Sequence, residues 1–160
     1  MEYLVAIRKI IKDFMNLEDG QIYLFNQRYI KPNDNRLYIC IGFQGHKIIS
    51  NIKENILNIQ KFTVVEQGQI SLKVYSYDLV NIDRVYEIIQ AINSNECENL
   101  QNQLGFYIAS QPIQQQQVSE VDGTTVLNCY NLLFNIIFAK RNEKKAVDYD
   151  KQQLQINKDN

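Results

Sequence analysis

The stretch from Thr124 to Ala139 constrains the fold of this chain more than any other. Its even positions form an almost continuous apolar series, whereas its odd positions mix apolar and polar side chains. The apolar series is Val126, Tyr130, Leu132, Phe134, Ile136 and Phe138. Because successive side chains of a strand point to opposite faces, this pattern predicts a long core strand with one buried face.

Other segments supply partners for that strand. Leu37–Phe43 alternates apolar and other residues with a period of two, which predicts a strand that continues toward Ile49. A shorter strand is predicted at Ile22–Phe25. Phe62–Val65 and Ile70–Tyr77 are also rich in β-formers, and they predict either a hairpin or one long strand interrupted by a glycine bulge.

Two further strand signals lie in the second half of the chain. Phe106–Ala109 begins a strand that continues past Pro112 toward a run of glutamines. Since proline cannot donate a ladder hydrogen bond, this strand is expected at a sheet edge or at a bulge. The sequence from Val121 to Thr124 contains Asp-Gly and predicts a hairpin turn before the last strand.

Helical periodicity appears in three places. Residues 2–15 place isoleucines and aromatic residues at steps of three and four, which predicts an amphipathic helix. Asn81 is a suitable N-cap for a second helix running to about Ile92. A shorter helix is predicted over Glu96–Leu104, with Gly105 as its C-terminal cap.

This order of elements predicts an α+β fold. We expect an antiparallel or mixed sheet of about four to six strands, with the N-terminal helix and a second helix packed on one face. Residues 1–142 are predicted to form a single domain, and residues 143–160 a polar, flexible C-terminal tail.

Composition narrows the range of functions. The net charge is −1, which argues against a strongly basic nucleic-acid-binding protein. The chain has three cysteines and one histidine, spaced too widely for a zinc site or a disulfide framework. Reduced cysteines suit a protein made in a cytoplasm. No apolar run is long enough for a membrane helix, and the first residues do not resemble a secretory signal. We therefore expect no metal, no cofactor and no membrane partner.

A search for catalytic motifs yields one weak candidate. His46 would need Cys40, a serine or an acid beside it to form a nucleophilic site, as in a small hydrolase. A surface or hydrogen-bonding histidine is the simpler interpretation, so no catalytic residue is predicted. Four basic residues cluster at Lys140–Lys145. They suit a solvated strand end better than a phosphate or acidic-partner contact.

The candidate interface residues are apolar or aromatic side chains without a clear place in the core. Residues 50–61 are compatible with a loop, a hairpin tip or a helical turn, yet they contain four large aliphatic residues. These are Ile52, Ile56, Leu57 and Ile59. Tyr75 and Tyr77 share one strand face and suit a protein interface or a half-buried sheet face.

The order of these segments resembles a known family. An opening helix containing Ala6–Ile11 and Phe14 runs into Leu17–Tyr23 and then Asn26-Gln27. A strand at Val74–Asp78 precedes the helix Ile82–Asn93, which in turn precedes Gly105-Phe106. This arrangement, over most of residues 1–139, resembles the bacteriophage neck terminator proteins and, more loosely, the tail terminator or tail-completion proteins.

The resemblance implies a virion structural protein rather than an enzyme. Such subunits form a homo-oligomeric ring, a hexamer or dodecamer, at the junction of head and tail. The implied partners are head-completion or connector proteins and tail proteins, and genomic DNA passes through the lumen without sequence-specific binding. The protein would be made in the host bacterial cytoplasm and located in the virion. The alternatives are a free-standing binding or adaptor domain, and a small hydrolase that uses His46.

Overall fold

The computed structural model describes residues 2–25, 34–56, 59–109, 113–122 and 125–145. The helices are α1 (Glu2–Phe14), α2 (Leu79–Ile82), α3 (Val85–Ile92) and α4 (Asn95–Leu104). The strands are β1 (Ile22–Leu24), β2 (Tyr38–Ile56), β3 (Ile59–Ser76), β4 (Phe106–Ile108), β5 (Gln114–Gln117), β6 (Glu120–Asp122) and β7 (Thr125–Lys145).

Three long strands organise the sheet. β3 lies between β2 and β7 and pairs antiparallel with both along its whole length. β1 adds to β2 in parallel, which makes the sheet mixed. β4 and β5 pair with different parts of the outer side of β7, and β6 pairs with the first residues of β7. The predicted α+β class with a mixed sheet is confirmed.

The core lies between one face of this sheet and the helices. Ile41, Leu72 and Leu132 stand at the same level on β2, β3 and β7, and all three are fully buried. Against them pack the apolar sides of α1 and α3, including Ile11 and Ile88. The helices are therefore amphipathic because one side covers the sheet and the other faces solvent.

The long strands resolve two alternatives that the sequence left open. Residues 62–65 and 70–76 belong to one continuous strand, β3, in which Gly68 is an ordinary ladder residue. Tyr77, predicted as the last residue of this strand, follows it. The irregularities lie instead in β2, where the register shifts between Phe43 and Gly45 and between Ile48 and Ser50. Residues 50–56 and 59–61 are strand, and Gln114–Gln117 of the glutamine run pairs with β7.

Two predicted details were wrong at the helices and at β7. Asn81 was predicted as an N-cap, but its side-chain amide donates a hydrogen bond to the Asn35 carbonyl. The N-cap of the first helix after β3 is Asp78, whose carboxylate accepts a hydrogen bond from the Val80 amide at 3.0 Å. A short helix, α2, therefore precedes α3. Val126 was predicted on the buried face of β7 but is 50% exposed, because the sheet has only the short strand β6 beside it there.

The other helix boundaries agree with prediction. α1 covers Glu2–Phe14, and α4 ends at Gly105, whose φ of 67° is the left-handed conformation of a glycine cap. β7 continues to Lys145, so the predicted domain boundary at residue 142 falls inside a strand. The described residues do not include residues 146–160, Pro112, or Gly123 and Thr124 of the predicted turn.

Candidate functional site

The three long strands extend beyond the helices as a separate feature, which we call the β arm. It comprises Ile48–Ile56 of β2, Ile59–Val65 of β3 and Ala139–Lys145 of β7. Every described side chain in it is exposed or half-buried. The helix layer stops at its base, where Tyr3 of α1 stacks on Phe138 with ring centroids 5.2 Å apart.

Both edges of the β arm lack a neighbouring strand within the described part of the chain. β1 pairs with β2 only at Ile39–Ile41, far from the arm. β4 pairs with β7 no farther along than Phe138, and β5 and β6 lie closer to the start of β7. The unpaired edges offer backbone N–H and C=O groups to another chain.

Three of the predicted interface residues share one face of this arm. Ile56 lies directly opposite Ile59, and Ile52 is four residues from Ile56 on the same strand. Residues an even number of positions apart on a strand point to the same side. Ile52, Ile56 and Ile59 are 46%, 47% and 38% exposed, respectively. Such a cluster of exposed isoleucines suits an interaction surface.

The remaining predicted interface residues lie elsewhere. Leu57 is outside the described residues. Tyr75 and Tyr77 are half-buried near the opposite end of β3, next to α2. The structure therefore does not bring the tyrosines together with the isoleucines.

The β arm is also strongly basic. Its residues include six lysines or arginines and only two acids, Glu54 and Glu143, for a net charge of +4. Because the whole chain carries −1, the rest of it carries −5. The basic cluster at the end of β7, predicted as a solvated strand end, lies in one sheet with Lys53 and Lys61. Lys61 forms an ion pair with Glu143 at 3.0 Å.

A buried carboxylate lies at the base of the arm. The Glu66 side chain is 7% exposed, and its Oε1 accepts a hydrogen bond from Nζ of Lys140 at 2.8 Å. Its Oε2 lies 3.4 Å from Nε2 of His46 and accepts no hydrogen bond from the described residues. Sequence reasoning missed Glu66, although it breaks the apolar series that ends at Ile70, Leu72 and Val74.

Aromatic rings surround this carboxylate. A cavity of about 450 Å³ is lined by Glu66, His46 and Lys140 together with Tyr3, Phe43, Phe106 and Phe138. Burial raises the pKa of the Tyr3 hydroxyl; nearby Lys140 opposes this effect and Glu66 adds to it. These contacts hold β2, β3, β7 and α1 together at the point where the β arm extends beyond the helix layer.

The structure does not bring His46 and Cys40 together, although it places an acid, Glu66, beside His46. Cys40 lies opposite Lys73 and His46 lies opposite Gly68, and these β3 residues are five positions apart on a regular strand. An odd separation places the two side chains on opposite faces of the sheet. Burial also raises the pKa of the Cys40 thiol, which disfavours the reactive thiolate.

In the ranges that the structure describes, no group of three or more histidine, cysteine, aspartate or glutamate side chains could hold a metal ion. Nor does any helix there have the length and apolar character to cross a membrane.

A scan against protein-family models returned no match for the chain. A search of curated proteins likewise found no match. The β arm, the buried Glu66 site and the order of the elements are therefore the features that bear on function.

Proposed function

We propose that this chain is a bacteriophage virion structural protein that forms a homo-oligomeric ring at the head–tail junction. It ends the tail or joins it to the head connector, with DNA passing through the lumen. The β arm carries this proposal, since it combines unpaired strand edges with exposed isoleucines. The resemblance of the element order to neck terminator proteins supplies the biological setting.

The isolated subunit leaves part of the apolar surface of the arm exposed to solvent. Burying an isoleucine side chain fully contributes about 1.5–3 kcal/mol. Ile52, Ile56 and Ile59 are each roughly half exposed. Their burial against a neighbour would therefore add about 2–4 kcal/mol in total before the costs of association. Strand-edge pairing supplies further contacts and a defined orientation.

A ring of identical subunits fits such a surface. When one surface of a subunit binds a different surface of the next, the assembly closes if the rotation between neighbours allows it. Enzymatic function receives less support, because the geometry separates His46 from Cys40 and because the acid beside His46, Glu66, is buried and paired with Lys140. A free-standing adaptor domain is the remaining alternative. The presence of the chain in virus particles would distinguish a ring-forming virion protein from such an adaptor.

The test pairs particle composition with a variant of the arm. Mass spectrometry of purified virions should detect the chain in stoichiometric amounts with portal and tail proteins. The double change Ile52→Ser and Ile56→Ser should leave the subunit folded but absent from particles. The control is Val5→Ser with Val126→Ser, since these valines are 55% and 50% exposed and lie outside the arm.

Two results would contradict the proposal. Absence of the chain from particles would favour an adaptor with another role. Normal incorporation of the Ile52→Ser, Ile56→Ser variant would show that the isoleucine face is not an assembly surface.

A further inference from the structure

The cavity beside Glu66 combines a buried hydrogen-bond acceptor with aromatic walls. Oε2 of Glu66 is buried and accepts no hydrogen bond from the described residues. A buried carboxylate oxygen without a donor costs free energy, so its position requires a reason. The cavity volume of about 450 Å³ lies within the range of small-molecule sites. The cavity therefore has room for a group that would donate to Oε2.

A cation already contacts the other oxygen of this carboxylate. Nζ of Lys140 donates to Oε1 of Glu66 at 2.8 Å and lies 5.6 Å from the ring centroid of Phe138. Aromatic faces attract cations through the ring quadrupole. The other rings that line the cavity belong to Tyr3, Phe43 and Phe106. Lys140 thus shows, inside the chain, the pairing of cation, carboxylate and ring that the rest of the cavity offers to a second cation.

The charges around the cavity favour a cation over other ligands. The lining residues include two acids, Glu2 and Glu66, and one lysine, Lys140, so they carry a net charge of −1 when His46 is neutral. An anion would be repelled by the buried Glu66 carboxylate. A purely apolar molecule would leave Oε2 without a donor. An organic cation with N–H groups suits both the oxygen and the rings.

His46 covers the second oxygen from the solvent side. Its Nε2 lies 3.4 Å from Oε2 of Glu66, yet half of the His46 side chain is exposed. The exposed residues Leu104 and Lys140 line the same cavity, which places its opening on this side. Exposed side chains change rotamer within nanoseconds, so rotation of His46 gives a ligand access to Oε2.

We infer that this cavity binds an alkylammonium or alkylguanidinium group. The charged nitrogen takes the place of His46 beside Oε2 of Glu66, and the alkyl part lies against Phe43 and Phe106. The cation is either a free small molecule or a lysine or arginine side chain of a second copy of this chain. The contacts in the cavity are the same in both cases. This site goes beyond the proposed ring and does not depend on it.

The single histidine of the chain makes the test specific, because its ring protons report on His46 alone. The experiment is a ¹H NMR titration of the full chain, at constant pH and ionic strength, with n-butylguanidinium and with its neutral isostere n-butylurea. We expect n-butylguanidinium to shift the His46 resonances saturably, with the roughly millimolar affinity of a ligand of about eight non-hydrogen atoms. n-Butylurea should bind about tenfold more weakly or worse, because it lacks the charge.

Two variants locate the site. Glu66→Gln should weaken binding of n-butylguanidinium about tenfold or more, because a neutral amide replaces the carboxylate. The matched control is Glu54→Gln, which removes the same charge from an exposed position in the β arm and should leave the affinity within about twofold of wild type. Both variants are compared at an unchanged urea midpoint. The comparison of the two ligands uses wild type only, so it remains decisive if Glu66→Gln does not fold.

Three results would overturn the inference. They are the absence of a His46 shift throughout the millimolar range, equal affinity for n-butylguanidinium and n-butylurea, and equal losses in Glu66→Gln and Glu54→Gln. The first would mean that His46 or water satisfies Oε2. The second and third would mean that the Glu66 charge does not select the ligand.

Sedimentation of the full chain separates the two sources of the cation. If a second copy supplies it, the wild-type chain self-associates, and both Glu66→Gln and saturating n-butylguanidinium weaken that association about tenfold or more. If a free molecule supplies it, the wild-type chain binds n-butylguanidinium with no change in sedimentation. Either result supports the site and identifies its occupant.

Discussion

Gly68 occupies the centre of β3 because the ring of Phe43 lies against it. A Cβ atom added at residue 68 would stand 2.8 Å from Cζ of Phe43 and 3.3 Å from Cε1 of Phe138, with another Phe43 ring atom closer still. Real side-chain carbons do not approach so closely, so Gly68→Ala must displace the ring. Phe43 also lines the cavity beside Glu66, which the displaced ring would disturb.

The expected cost follows from two opposing effects. Overpacking of this kind destabilises by about 1–3 kcal/mol. In a strand without the obstruction, alanine is preferred to glycine by about 0.5–1 kcal/mol, because glycine loses more backbone entropy on folding. Gly68→Ala should therefore destabilise wild type by about 1–2 kcal/mol, yet be neutral or stabilising in a Phe43→Leu background.

A double-mutant cycle measures this coupling. Urea unfolding of wild type, both single variants and the double variant gives four free energies of unfolding, compared at unchanged m-value. We expect a coupling of about 1–3 kcal/mol between positions 43 and 68. An equal cost for Gly68→Ala in both backgrounds would refute the close approach of the Phe43 ring as the reason for glycine.

Three further predictions concern the core residue Phe134, the thiol of Cys97 and the buried carboxylate of Glu66. Phe134→Ala should cost about 3–5 kcal/mol in the free energy of unfolding, since the side chain is 4% exposed, and an unchanged urea midpoint would show that the β7 face is not core. Burial raises the pKa of the Cys97 thiol, against a smaller opposing effect of Gln101, so less thiolate forms at any given pH. Iodoacetamide at about pH 8 should therefore modify Cys97 much more slowly in the folded than in the denatured chain, and equal rates would contradict its burial. Lys140→Met should lower the free energy of unfolding by about 1–3 kcal/mol, because it leaves the buried Glu66 carboxylate without its hydrogen-bond donor. Adding Glu66→Gln to this variant should recover most of that loss. If stability does not recover, the aliphatic part of Lys140 and not its charge is what stabilises the fold.

The sequence alone determined those parts of the fold that depend on local patterning. The 3.6-residue period identified α1, and the period-two apolar series identified β7. Gly105 marked the end of α4 because only a left-handed residue closes a helix in that way. These signals are readable since each arises from neighbours within a few positions along the chain.

Tertiary structure decided the conformation of the polar segments that pair with a long strand. Residues 50–56 and 114–117 have weak strand patterns of their own, yet β3 and β7 provide ladders on which their backbones pair. The bulge at Phe43–Gly45 moves His46 to the face opposite Cys40 and toward Glu66, which no local pattern revealed. The β arm likewise exists only in three dimensions, since it forms where β2, β3 and β7 continue together beyond the helix layer. It follows from the physical length of β3, an 18-residue strand that carries Ile59 roughly 55 Å from Ser76 at about 3.3 Å per residue.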